Sequence, residues 1–97
     1  MNIKGKMLPD KDLYNAILSL NSVEECKAFF EDLCTISEIN AMSQRLEVAK
    51  MLSENSPYSE IVKATHASSA TISRVGRCLN YGDGGYKLVL NNLKSIE

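Results

Sequence analysis

No run of residues approaches the ~18 consecutive apolar side chains that a membrane-crossing helix requires. Residues 1–6 also hold no apolar stretch long enough for a secretory signal, so the expected location is the cytoplasm. No excess of one charge is present: 11 basic against 12 acidic side chains leave a net charge of −1 and a pI of about 5.8. Long-range attraction of the whole molecule to nucleic acid or to acidic membranes is thereby excluded. The three cysteines, Cys26, Cys34 and Cys78, form no C-x-x-C pair, and the single histidine, His66, is remote from them in sequence. No metal or other cofactor is expected, and the cysteines read as small buried hydrophobes in a reducing compartment. One histidine and carboxylates on solvated helix faces leave nothing to assemble as acid, base or nucleophile, so an enzyme is not expected. No segment alternates apolar and polar residues cleanly enough for a half-buried strand.

What is present is a chain of 97 residues, 44% hydrophobic and 24% charged, which describes one ordinary globular domain. A chain this short folds with little stability to spare, and dimerisation would add to it. Apolar residues recur at three and four, predicting six helices and an all-α fold. A first helix is expected over 10–20. A capping box of Ser22 and Glu25 opens a second, burying Val23, Cys26, Phe29, Phe30 and Leu33. A second box, Thr35 with Glu38, opens the longest helix, whose seam is Ile39, Met42, Leu46 and Ala49 with Val48 and Leu52 beside it. Pro57 ends that helix, and Ser56 is the expected cap of a short one over 58–65. Ser68 caps the next, which should reach Leu79. Gly82, Gly84 and Gly85 then supply left-handed conformations that stop it. The last helix, over 86–96, carries Tyr86, Val89, Leu90, Leu93 and Ile96 at 3.6-residue spacing.

Residues 58–75 are the most informative: a short helix, a tight turn and a second short helix, the pattern of a helix-turn-helix. Ile61, Ala67, Ile72 and Val75 fall inside the angle between its helices. Ser68, Ser69, Ala70, Thr71 and Ser73 give the second helix an outward face of hydroxyls and methyls. Without long side chains that face can enter a major groove about 12 Å wide. Such serine and threonine density has little to recommend it for helix stability, so recognition explains it better than two bundle helices with an indifferent surface. Charge agrees with this placement: residues 57–97 carry five basic and three acidic side chains, against six and nine in residues 1–56. His66 sits in the turn, where it tolerates a positive φ and could also touch a phosphate.

These residues resemble the tryptophan repressor family, in its YerC/YecD-like branch of small bacterial proteins. The likeness runs over about 30–90. It rests on Thr35, Glu38, Ala41 and Arg45 in order, Ser-Ala-Thr-Ile-Ser-Arg at 69–74, Arg-Cys-Leu-Asn-Tyr-Gly from 77, and Gly-Gly-Tyr ending at 86. The resemblance implies an intertwined homodimer of six-helix subunits. Within each, residues 1–56 form dimerisation and scaffold helices, 57–80 the helix-turn-helix, and 81–97 a hinge and C-terminal dimerisation helix. Arg45 and Arg74 match the two arginines that sandwich the indole in the tryptophan-binding member. Two further pocket positions depart, with Val75 for a glycine and Cys78 for a serine, and Val75 would occupy the space of the corepressor. The resemblance therefore implies a member that works without tryptophan.

The expected function is a sequence-specific, DNA-binding transcriptional regulator, a repressor that holds a palindromic operator in double-stranded DNA as a homodimer. Ser69, Ala70, Thr71 and Ser73 are the candidate base-reading residues, and Ser59, Lys63, Ser68 and Arg77 the candidate backbone contacts. Arg45, Arg74, Val75 and Cys78 form a possible effector pocket; Arg74 has either a structural or a phosphate role. Two alternatives stand beside this: a dimeric helical adaptor that docks a protein, consistent with the acidic pI, and a repressor gated by a small molecule near Arg45 and Arg74.

Overall fold

The structure, a computed structural model, describes residues 8–96. The reading of residues 1–6 as free of a targeting segment lies outside the described residues. Six helices and no strand occur among the described residues, so the fold is all-α: α1 Lys11–Leu18, α2 Val23–Leu33, α3 Ile36–Ser53, α4 Tyr58–Thr65, α5 Ser69–Tyr81 and α6 Gly85–Ile96. No helix among them is long and apolar enough to cross a membrane. The chain divides into two compact units, the first running up to Ile36 and the second from Ser37 onward.

In the first unit, α1 stops two residues short of expectation, where the Ser19 hydroxyl donates to the Ala16 carbonyl at 2.6 Å. Ser22 caps α2 as expected, its Oγ accepting from the Glu25 N–H at 3.1 Å. The return half of the box differs: the Glu25 carboxylate accepts from Asn21, one residue before the cap, at 2.9 Å. Phe29 and Phe30 are half-buried and meet edge to face, centroids 5.6 Å apart. The expected burial of Val23, Cys26 and Leu33 is not found. Val23 is 78% exposed, and Cys26 and Leu33 are also exposed, because a helix stripe specifies that a surface wants cover without supplying it.

In the second unit, α3 ends in a Schellman arrangement. Asn55 takes a left-handed φ of 60°, the Ser56 N–H donates to Met51 O at 2.9 Å, and the Asn55 N–H donates to Leu52 O at 3.1 Å. Ser56 is thus drawn into the end of α3 and does not cap α4. Pro57 is the N-cap instead, in an extended conformation with its carbonyl accepting from the Glu60 and Ile61 N–H groups. The glycine loop also differs from expectation, since only Gly84 is left-handed, at φ 89°. Gly82 is needed for closeness: a Cβ there would strike the carbonyl of Cys78, whereas one at Gly85 would meet open space.

The core of this unit joins Val48 and Ala49 of α3, Ile61 of α4, Ala67 of the turn, Ile72, Val75 and Leu79 of α5, and Leu90 of α6. Met51, Leu52 and Tyr86 pack against it. Ile61, Val48 and Val75 are the largest wholly buried side chains, each worth about 1.5–3 kcal/mol of transfer free energy. The expected seam of α3 is corrected by this. Val48 and Ala49 face the core, while Ile39 and Met42 are half-buried and Leu46 is 37% exposed. Apolar residues lie on more than one side of α3, and only Val48 and Ala49 are fully buried. On α6 likewise Leu90 is buried, whereas Val89, Leu93 and Ile96 are exposed.

Candidate nucleic-acid interface

Helices α4 and α5 are joined through a turn pinned by several hydrogen bonds. His66 adopts φ 57° and ψ 20°, and its N–H donates to Val62 O at 2.8 Å, closing α4 with a single left-handed residue. The Thr65 hydroxyl donates to Ile61 O at 2.7 Å and accepts from the Ala67 N–H at 3.2 Å. Ala67, 4% exposed, plugs the angle between the helices together with Ile61, Ile72 and Val75. Ser68 is then extended and caps α5, its Oγ accepting from the Thr71 N–H at 3.1 Å and lying 3.1 Å from Thr71 Oγ1 in a second hydrogen bond. The Ile72 N–H donates to Ser68 O. The N–H groups of Ser69 and Ala70, in the first turn of α5, are the donors left over, and such a terminus attracts an anion.

Side chains at this end are short. Ser69, Ala70 and Ser73 are exposed on α5, and Thr71 is half-buried with its hydroxyl engaged by Ser68. Ser59 and Lys63 are exposed on α4, and Arg74 and Arg77 on α5; Glu60, the one acidic residue of these two helices, is exposed on α4 as well. Among the described residues no cluster of acidic, histidine and cysteine side chains could hold a metal ion.

The possible effector residues lie on α3 and α5. Val75 is 1% exposed and belongs to the core. Cys78 is half-buried and lines an open groove of about 490 Å³ with Leu46, Tyr86 and Val89, a groove that neither Arg45 nor Arg74 lines. Arg45 is half-buried on α3 and Arg74 exposed on α5. One residue that sequence reading missed is Gln44, whose Nε2 donates to the Thr65 carbonyl at 3.0 Å across 21 positions of chain. A half-buried carboxamide on a helix carries no sequence signal of so distant a partner.

The family model described as Trp repressor protein matches residues 11–94. The chain belongs to the Trp repressor family. It is 54% identical over 95 residues to the Bacillus subtilis (strain 168) protein described as uncharacterized protein YerC, an alignment covering 98% of this chain and 89% of that one. Two solved structures are close to it. A TrpR-like protein from Eubacterium eligens superposes with a TM-score of 0.86 at 53% identity, covering 96% of each chain. A candidate Trp repressor from Staphylococcus aureus superposes with a TM-score of 0.82 at 47% identity, covering 86% of this chain and 83% of that one. Membership of the Trp repressor family points to a DNA-binding regulator, and the family's members are regulators, not enzymes.

Proposed function

We propose that this member of the Trp repressor family is a homodimeric, sequence-specific repressor of transcription that occupies a palindromic operator without tryptophan as corepressor. The observation that carries the reading is the tip of α5: Ser69, Ala70 and Ser73 exposed, Thr71 held beside them by Ser68, and two N–H donors unpartnered at the helix start. Side chains of this size let a helix approach base edges, and the free donors favour a phosphate alongside. In this reading Ser69, Ala70, Thr71 and Ser73 read bases, and Ser59, Lys63, Ser68 and Arg77 hold the backbone.

Dimerisation is supported by what one subunit leaves uncovered. Tyr14 and Leu18 of α1, Val23 and Leu33 of α2, and Leu88 and Ile96 of α6 are all more than half exposed. Aliphatic and aromatic surface in that amount, on a chain of this length, calls for a partner, and a second copy supplies the twofold symmetry that an inverted repeat mirrors. Independence from tryptophan is supported by Val75, whose side chain fills interior volume and ties α5 to the core. The protein acts in the cytoplasm, at the nucleoid.

Selection of bound sites from random duplexes tests the proposal. Recovery of an inverted repeat with half-sites about one DNA turn, roughly 34 Å, apart supports it. Recovery of no motif, with retention on DNA indifferent to salt, would favour a protein-docking adaptor instead.

A further inference from the structure

We infer that Gln44 is a positioning residue for the DNA-reading helix: its carboxamide ties the turn of the helix-turn-helix to α3 and so sets the stance in which α5 meets a duplex. The inference rests on the proposed DNA-binding function for its consequence, and on one hydrogen bond for its geometry. An eight-residue helix such as α4 leaves its last four carbonyls without helical partners. One of them, Val62 O, is taken by the His66 N–H. Thr65 O, at the very end, is reached by Gln44 Nε2 at 3.0 Å in a half-buried setting. Thr65 is thereby held three ways, since its hydroxyl also donates to Ile61 O and accepts from Ala67 N.

The residues just beyond Thr65 give this grip its importance. Next come His66 in its left-handed conformation, Ala67 buried in the core, and Ser68, the cap from which α5 begins. Three residues separate the Gln44 contact from the first residue of the reading helix. Apolar contacts hold the bodies of α3, α4 and α5 together but are non-directional, whereas a hydrogen bond to one carbonyl fixes the turn in orientation. Gln44 is half-buried with its amide engaged by Thr65 O, so its effect passes through the population of heads in the binding stance. If freeing the turn lowers that fraction to one in three per head, a dimer that needs both heads binds about ninefold more weakly.

Gln44→Met keeps the length and flexibility of the side chain and removes the donor; Gln44→Glu replaces the donor by an acceptor; Gln44→Lys keeps a donor of similar reach. The inference expects Gln44→Met and Gln44→Glu to bind the selected duplex about five- to tenfold more weakly. Preferred sequence and salt slope should be unchanged, and Gln44→Lys should recover most of the loss. Hydrogen exchange without DNA should show faster exchange at the amides of His66, Ala67 and Thr71, with that of Leu90 unaltered. Unchanged affinity and unchanged exchange in both donor-less variants would overturn the inference. So would a uniform rise in exchange with a lowered melting temperature, which would make Gln44 a structural residue only. If the wild-type chain binds no duplex, the DNA-binding proposal fails, while the exchange measurement still decides whether Gln44 holds the turn.

Discussion

Truncating Val75 to alanine tests whether that side chain replaces a ligand in the interior. The residue is 1% exposed among Val48, Ile61, Ile72 and Leu79, so its loss of two methyl-sized groups removes about 1.6 kcal/mol of transfer free energy. An unrelaxed void of roughly 50 Å³ adds about 1 kcal/mol. The better helix propensity of alanine returns about 0.5 kcal/mol. The net expectation is about 2 kcal/mol of destabilisation, a large share of what a small domain has. Urea unfolding at fixed protomer concentration should show it as a midpoint lowered by about 1 M. In parallel, calorimetric titration of the wild-type chain with L-tryptophan to millimolar concentration should give no binding heat, and the unliganded protein should bind its selected duplex. A loss below about 0.5 kcal/mol would mean that Val75 does not fill the space assigned to it. Micromolar tryptophan binding by the wild type would refute the reasoning outright.

Five further outcomes are expected. If Lys63, Arg74 and Arg77 of both protomers each meet a phosphate, the log–log salt dependence of duplex affinity should have a slope of about −5. Lys63→Ala should weaken all sequences alike and reduce that slope by about 2; a sequence-dependent loss would contradict its role. Thr71→Ala should relax preference at one base pair by about 1–3 kcal/mol, read by repeating the site selection, and an equal loss at every position would remove Thr71 from the base-reading set. Gly82→Ala should destabilise by about 1–3 kcal/mol, since its Cβ meets the Cys78 carbonyl. Gly85→Ala, opening α6 in free space, should be neutral or stabilise by up to about 1 kcal/mol, and a reversed order in thermal melts would refute the close approach at Gly82.

Much of the helix-turn-helix is legible in the residues alone. Ser22 and Ser68 announce helix starts because a cap bonds only three residues ahead, and the structure has both bonds at 3.1 Å. His66 suits a helix end for its tolerance of positive φ, and it has φ 57°. Spacing alone assigns Ile61, Ala67, Ile72 and Val75 to the inside of the angle, and all four are buried. The failures share a different character. Ser56 reads as a cap, yet Asn55 takes the left-handed conformation first and commits Ser56 to the end of α3.

The sequence by itself therefore determined the six helices, most of their ends and the interior of the helix-turn-helix, because periodicity and capping act over three or four residues. Only the tertiary structure decided that α3 gives the core Val48 and Ala49 and leaves Leu46 37% exposed. It alone decided that Gln44 reaches a carbonyl 21 residues away and that Val23 and Leu33 are exposed. An amphipathic stripe states which surface must leave water, but the element that covers it is chosen by packing between segments distant in the chain.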